Sequence, residues 1–308
     1  MNIVMHGAGA LGAYFGGRLL EGGYNVSFFV RERRAAQLQQ EGLKITSGAG
    51  DMETKDVEVY TSPEDVSKAD VVILAVKGYH LEEAVQQVTD IVNKTGAYVL
   101  PLLNGIEQLE RLQKAVGKEK VLGGFASIIA TLNEKGHVEH TGAGSAIKFG
   151  ALHPDQHEIC TKLEEIHSHV KTNVLRDEEI LKSMWKKYIL ITAFSGITSA
   201  MQLPAGYIAK HEASYRTARN VLYEMKMLAE QEGIAMGEED IEPMAMKLRS
   251  FPPQATASMH QDMRKGLPLE VEHLHGGALR IAAKHQVAAP VIETLYGVLK
   301  PYENGRPE

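Results

Sequence analysis

Apolar and polar positions change rhythm partway along this chain of 308 residues. In the first half, short apolar runs alternate with stretches of helical periodicity. Met1-Asn2-Ile3-Val4-Met5, Val26-Ser27-Phe28-Phe29-Val30, Val71-Val72-Ile73-Leu74-Ala75-Val76 and Ala97 to Leu103 read as strands. The unbroken β-branched run at 71–76 is what a strand buried on both faces requires. Pro101 is expected near a strand end or at an edge, because it has no N–H to give to a ladder. Leu81 to Val92 reads as a helix. Further short strands are expected at 121–130 and 146–150, with a turn at Asn133-Glu134-Lys135-Gly136 between them. Strands that alternate with helices predict an α/β fold: a doubly wound parallel sheet of the Rossmann type.

Near residue 176 the strand signals fade. From Asp177 onward helical periodicity dominates, with helices expected at about 178–200, 205–232, 238–250, 254–265 and 269–285. Leu181, Met184, Trp185, Tyr188 and Thr192 fall on one helical face. Gly233 and Gly266 suit helix ends, and Pro252-Pro253 terminates a helix. The expected organisation is an N-terminal sheet domain over 1–176 and an all-helical domain over 177–308. Neither a solenoid repeat nor a low-complexity segment interrupts it. A ligand site between two such domains is the usual expectation.

Between the first strand and the first helix stands Gly7-Ala8-Gly9-Ala10-Leu11-Gly12. In that context the glycines have separate tasks. Gly7 allows the tight turn, Gly9 leaves room for a pyrophosphate, and Gly12 lets the helix approach the strand. The free N–H groups and positive end of the helix then face the phosphates. A dinucleotide is therefore expected against Gly7, Ala8, Gly9, Ala10, Leu11 and Gly12. An NAD site ends its second strand in Asp or Glu, which holds the ribose 2′-OH. Here Arg31 stands in that place, with Arg33 and Arg34 behind it, and a cation suits a 2′-phosphate. The expected cofactor is NADP(H). Glu32, one position later, is still within reach of a ribose, and a solvated surface face is the alternative reading of the arginines. Gly7, Arg31, Lys77 and Asn104 each follow a strand end, where ligands of open α/β sheets bind.

Composition mainly excludes. Hydrophobic residues at 44% and charged residues at 23% are ordinary for a globular protein. A net charge of −6 argues against extended nucleic-acid or anionic-membrane binding, and leaves room for a local cationic pocket. Cys160 is the single cysteine, so no intrachain disulfide is expected, in keeping with a reducing compartment. No signal-peptide pattern is visible, and no apolar run approaches the roughly 18–20 residues of a spanning helix. A cytoplasmic location is expected. His167 and His169, like His273 and His275, are two apart, and no HExxH or CxxC spacing occurs, so no metal site is expected.

In the helical half, Lys187, Ile191 and Ser195 are four apart and share a face. A lysine on a mostly apolar helix is a candidate general acid, because partial burial lowers its pKa. The alternative is a lysine that extends its ammonium to solvent. Glu270, just after Pro268, is either a helix-dipole partner or an acceptor for a substrate hydroxyl. Ser258 is either a substrate contact or a helix hydroxyl bonded to its own backbone.

The ordered set of motifs resembles the ketopantoate reductase (2-dehydropantoate 2-reductase) family over essentially the whole chain. The resemblance rests on Gly7 to Gly12 with Arg31, on Val76-Lys77 and on Leu103-Asn104-Gly105. Further along it rests on Trp185-Lys186-Lys187, Ser258-Met259-His260-Gln261-Asp262 and Leu269-Glu270. It implies that Lys187 is the proton donor, that Asn104 contacts both cofactor and substrate, and that Lys77 lies near the nicotinamide ribose and the substrate. It further implies that Ser258 and Glu270 hold the substrate carboxylate and hydroxyl or the cofactor, with Glu270 completing the catalytic pair. A backbone contact to the cofactor falls near Ala130. Two departures affect the substrate. Ile191 and Ser195 stand where the family carries pocket asparagines, and His275 replaces a third. A buried substrate hydroxyl left unpaired by Ile191 costs about 1–3 kcal/mol.

The implied activity is NADPH-dependent reduction of 2-dehydropantoate to pantoate, in pantothenate and coenzyme A biosynthesis. The alternatives are a paralogous reductase of another branched 2-oxo acid and a non-catalytic NADP-binding sensor. A pure binder has no need of the Lys187 and Glu270 combination. The expected partner is a small 2-oxo acid, with no nucleic acid and no membrane, and association as a homodimer is left open.

Overall fold

The computed structural model describes residues 1–307. The chain divides into two compact units, Met1–Leu103 with Gln108–Leu181, and Asn104–Glu107 with Lys182–Glu308. The division therefore falls a few residues beyond the expected boundary at 176, and a short internal segment crosses it. Ile180, at the start of the long helix, belongs with the sheet. A Cβ placed on Gly123 or Gly150 would lie 2.8 Å from its side chain, so the two glycines make the space that it fills.

The first unit runs β1 (Asn2–His6), α1 (Ala10–Glu21), β2 (Asn25–Phe29), α2 (Glu32–Glu41), β3 (Leu43–Ser47), β4 (Met52–Thr54), β5 (Glu58–Tyr60), β6 (Val71–Leu74), α3 (Leu81–Thr95) and β7 (Tyr98–Pro101). After α4 (Glu107–Val116) come β8 (Gly123–Ser127), β9 (Ala130–Leu132), β10 (Val138–His140), β11 (Ala146–Gly150), α5 (His157–Glu164) and β12 (Asn173–Arg176). The main sheet has the order β5-β2-β1-β6-β7, and every pair in it is parallel. Ile3, Val4, Met5 and Val71 to Leu74 are at most 2% exposed, as burial on both faces demands. The chain winds one way from β1 to β2 and the other way to β6. The carboxyl ends of β1 and β6 thus flank a switch point, where doubly wound sheets bind ligands.

Two smaller sheets, β4-β3-β10-β9 and β12-β11-β8, complete the unit. The strand expected at 121–130 is in fact two. β8 pairs with β11 and β9 pairs with β10, so the chain changes sheets at Ile128-Ile129. The turn at 133–136 is present. Asn133 Oδ1 accepts from the N–H groups of Lys135 and His137, and Gly136 takes a positive φ of 74°.

The second unit is helical: α6 (Ile180–Met201), α7 (Gly206–Lys210), α8 (Glu212–Gln231), α9 (Glu238–Ser250), α10 (Ser258–Arg264), α11 (Gly277–His285) and α12 (Pro290–Leu299). Met184, Trp185, Tyr188 and Thr192 of α6 are buried, and Leu181 is half-buried. Three helix expectations need correction. The helix expected at 205–232 breaks at His211, and the one at 254–265 begins only at Ser258. The one expected from 269 opens after Glu270, with a wide π turn over Glu272–Gly276 ahead of α11. Gly233 and Gly266, with φ of 80° and 67°, close α8 and α10. No helix among the described residues is long and apolar enough to cross a membrane.

Candidate active site

The glycine turn after β1 is built as its spacing predicts. Gly7 has a φ of 99°, and a Cβ there would lie 2.9 Å from the carbonyl oxygen of Ala75 on the neighbouring strand's extension. A Cβ on Gly12 would lie 2.0 Å from the Gly7 carbonyl oxygen, so only glycine allows α1 to sit this close to the turn. Gly9 differs from both. A Cβ there would meet nothing within 4 Å, so the direction is open. Gly9 also caps α1 without a side-chain bond to the helix, and no acidic residue occupies the first turn. The N–H groups of Ala10, Leu11 and Gly12 have no intrahelical acceptor. An open cradle at an uncapped, positively polarised helix start fits a pyrophosphate.

A cavity of about 360 Å³ opens from this turn, lined among others by Gly7, Ala8, Gly9, Arg31, Arg34, Lys77, Tyr79, His80 and Glu83. Arg34 is structural. Its Nε donates to the Ala8 carbonyl at 2.9 Å and Nη2 to the Gly136 carbonyl at 3.0 Å, so it ties the glycine turn to the hairpin turn. Arg31 is exposed and lies against two residues of the Lys77–Glu83 stretch. It forms an ion pair with Glu83 and contacts both ring nitrogens of His80, at 3.4 and 3.2 Å. His6, also in the lining, is buried. Burial lowers its pKa to about 4, and Nε2 bonds Gln87 at 3.0 Å.

The second unit holds the other candidates. Lys187 is half-buried on α6. The protein atoms around its ammonium lower its pKa to about 8 by desolvation, against an opposing pull from the Glu270 carboxylate. Glu270 is 4% exposed and immediately precedes the helical stretch that leads into α11. Ser195 is buried one residue before Gly196. A Cβ on Gly196 would be 2.4 Å from His275 Nε2, so the glycine makes room for the imidazole. Burial holds His275 neutral, with its pKa lowered to about 4.

The Asn104–Glu107 segment is fixed within this same unit. Glu107 accepts a bidentate pair from Arg280, with both N···O distances 2.7 Å, and Arg280 also pairs with Glu272 of the π turn. Gly105, at a φ of 88°, places its Cα side 3.2 Å (measured from an added Cβ) from His273 Nε2. The Tyr188 hydroxyl, from the buried face of α6, donates to the Leu274 carbonyl at 2.5 Å. The π turn is thereby tied to α6 on one side and to the 104–107 segment on the other.

Five of the expected cofactor residues, Gly7, Ala8, Gly9, Arg31 and Lys77, thus line one cavity. Ala10, Leu11 and Gly12 form the helix start behind it. Ala130 opens β9, but the residue of that strand which lines the cavity is Leu132. Asn104 groups with Lys187 and Glu270 in the second unit. Ser258 is the exposed first residue of α10. Sequence reasoning passed over Tyr79, His80, Glu83 and Gln87. The signal available was the position of Glu83 and Gln87 one turn apart on α3, just after the Lys77 strand end.

The family model described as ketopantoate reductase PanE/ApbA matches residues 3–154, and its C-terminal counterpart matches 179–303. The chain belongs to the ketopantoate reductase family. Within this family, the uncharacterized oxidoreductase YkpB of Bacillus subtilis is 37% identical over 307 residues, 98% of this chain and 99% of its own. A 2-dehydropantoate 2-reductase of Pyrococcus abyssi is 28% identical over 98% of each chain. The crystal structure of 2-dehydropantoate 2-reductase from Geobacter metallireducens has a TM-score of 0.86 at 26% identity, covering 97% of this chain and 99% of that one. D-mandelate dehydrogenase, solved with NADH and anilino(oxo)acetate, has a TM-score of 0.88 at 23% identity over 98% of each chain, a likeness of fold. The parallel sheet followed by helices is the architecture of the ketopantoate reductase family.

Proposed function

We propose that this ketopantoate reductase family member is an oxidoreductase that uses NADPH to reduce 2-dehydropantoate to pantoate, in the cytoplasm and in the service of pantothenate synthesis. The observation that carries the reading is Lys187, a desolvated ammonium with its pKa lowered to about 8 and the Glu270 carboxylate as its counter-charge. The backbone from Gly7 to Gly12 would hold the pyrophosphate, Arg31 the 2′-phosphate end, and Lys77 and Asn104 the nicotinamide side. When bound, the reduced nicotinamide supplies the hydride that the substrate's C2 carbonyl carbon receives.

The chain's own residues do the rest. Negative charge grows on the carbonyl oxygen, and the Lys187 ammonium stabilises it and donates a proton from Nζ, giving the 2-hydroxy acid. A fixed charge aimed at a developing oxyanion is commonly the largest catalytic contribution. With a pKa of about 8, Lys187 is protonated at neutral pH yet a stronger acid than an ordinary lysine, which suits proton donation. Glu270 keeps the ammonium charged and accepts from a substrate hydroxyl or cofactor ribose. Ser258, Ser195 and Lys77 bind the substrate.

Ile191 supports a second reading, a reductase of another branched 2-oxo acid, because it offers no hydrogen bond where the family carries an amide. Steady-state kinetics with NADPH, NADH as control, ketopantoate and a panel of 2-oxo acids separates the two. High turnover of ketopantoate with NADPH supports the first. Low turnover with ketopantoate and high turnover with another oxo acid moves the substrate to the second. In either case Lys187→Ala should lose about 10²–10⁴-fold in kcat while NADPH binding persists. Parallel loss of NADPH binding would contradict the proton-donor role.

A further inference from the structure

Arg31 stands at the place where a dinucleotide's ribose is read, and its own charge is balanced by Glu83. Its guanidinium forms an ion pair with Glu83 and lies 3.2 and 3.4 Å from the two ring nitrogens of His80, and all three residues line the glycine-turn cavity. His80 also meets the ring of Tyr79 edge-on at 4.6 Å. The groups facing His80 are Arg31 from the start of α2 and Glu83 from α3, with Lys77 in its own turn. His6 on β1 is buried and neutral, and Gln87 stands between it and Glu83, bonding both at 3.0 and 3.4 Å. Arg34 is engaged by the Ala8 and Gly136 carbonyls and by Gln37.

The charges can be counted. Arg31 and Glu83 cancel. Burial, and then the Arg31 charge, push the His80 pKa below the ordinary imidazole value, so His80 is neutral at pH 7. A 2′-phosphate carries about −1.5 to −2 near neutral pH. It would meet a trio with no net charge of its own, in which the Glu83 carboxylate already holds the Arg31 guanidinium, while Lys77 and Arg34 supply the other cations of the lining. A phosphate beside the imidazole favours its protonated form, because an opposite charge within about 4–6 Å raises a histidine pKa. The ribose 2′-OH of NADH demands neither a freed guanidinium nor a proton.

We infer that Arg31, His80 and Glu83 form a proton-linked selector between the two nicotinamide cofactors: NADPH binding draws Arg31 off Glu83 and loads a proton onto His80, whereas NADH binding does neither. The inference rests on the dinucleotide reading of the glycine-turn cavity and names two selectivity residues in it, Glu83 opposing the 2′-phosphate and His80 supplying the compensating charge.

The test is direct binding to the full-length protein. Dissociation constants for NADPH and NADH are read from nicotinamide fluorescence between pH 6 and 9 for the wild type, His80→Gln and Glu83→Gln. Proton uptake on binding is read by calorimetry in two buffers of different ionisation enthalpy. The NADPH Kd should tighten as pH falls from 8.5 to 6.5, by up to about tenfold per unit, with uptake approaching one proton. NADH should show a flat profile. The phosphate's own ionisation near pH 6 acts in the opposite sense in every variant. The difference between wild type and His80→Gln therefore reports His80 alone. His80→Gln should flatten the NADPH profile, and Glu83→Gln should tighten NADPH about fivefold at pH 8 with little effect on NADH. A His80→Gln protein that keeps the wild-type slope and proton uptake, or a Glu83→Gln protein with an unchanged NADPH-to-NADH ratio, overturns the selector and leaves the cofactor site standing. Failure of the wild type to bind either nucleotide overturns the site itself.

Discussion

Replacing Lys187 by methionine should cost about 10²–10⁴-fold in kcat and make the protein more stable. The side chain keeps most of its length and loses its charge. Desolvation lowers the Lys187 pKa from 10.5 to about 8 even with Glu270 pulling the other way. At about 1.36 kcal/mol per pH unit, the folded state carries the charged form at a cost of ~3 kcal/mol. The unfolded chain keeps its proton up to about pH 10.5, and the folded chain only to about 8. Between those values the unfolded state binds more protons, so this group's contribution to stability rises with pH and levels off above 10.5. Below pH 8 both states are protonated and the whole cost is present. Lys187→Met should therefore gain up to ~3 kcal/mol at pH 7, and its advantage over the wild type should shrink toward zero by pH 10.5. The assay is denaturant unfolding followed by circular dichroism at both pH values, with NADPH-dependent turnover measured alongside. A variant that is less stable than the wild type at pH 7, by a margin that pH does not alter, would refute the claim that Lys187 is held charged against its surroundings. Such an exchange of stability for activity is expected where a buried charge serves chemistry.

Three further variants have outcomes that the structure fixes. Gly7→Ala combines a φ of 99° with a Cβ 2.9 Å from a carbonyl oxygen, so it should destabilise by about 1–3 kcal/mol. Gly9→Ser puts a good helix cap into open space, so its Tm should hold or rise slightly while nucleotide binding falls at least tenfold. Thermal unfolding and nucleotide titration of the pair check this, and equal loss of stability in both would count against it. Asp240 is 7% exposed and accepts from Lys186 at 2.6 Å and Lys182 at 3.1 Å, which brings its pKa to about 2. Because the folded value is depressed, the stabilisation is present above about pH 4 and fades as pH falls toward 2. Asp240→Asn should cost about 2 kcal/mol at pH 7 and much less at pH 2.5, as read by calorimetric unfolding. A deficit of the same size at both pH values would remove the carboxylate as its source.

The sheet's centre was legible because β1, β2, β6 and β7 are buried on both faces and so must be apolar almost throughout. The strands that escaped notice are β3, β4, β5, β10 and β12. They are three to five residues long and mix charged residues with apolar ones; all but β4, which pairs locally with β3, are fixed by a partner strand distant in the chain, as Val138 fixes Ile45. Sequence periodicity has no access to such pairings. Helix α12 went unread although Pro290 sits at its first turn. The π turn escaped because its wide spacing differs little from α periodicity over five residues. At the site, the tasks of Gly7 and Gly12 were readable, because a tight turn and a close approach are local backbone demands, and at Gly9 the structure shows an open direction. The Arg31–Glu83 pair was not, since 52 positions separate its members and only the parallel order of β2, β1 and β6 brings the segments that carry them together. For Lys187 the helical register gave a face but could not give the number of atoms that desolvate its ammonium.

The membership of Asn104–Glu107 in the helical unit means that this unit is discontinuous in the chain. A fragment that starts at Lys182 would lack Glu107, so Arg280 would keep its bonds to Glu272 of the π turn and lose the two charge-assisted bonds that tie it to the 104–107 loop. Dissection for crystallography, or for a fusion that borrows the lysine-bearing helices, should therefore graft the four-residue loop back on. Inserting a tag between Leu103 and Gln108 would strike both units at once, so the harmless place for such an insertion has to be sought elsewhere.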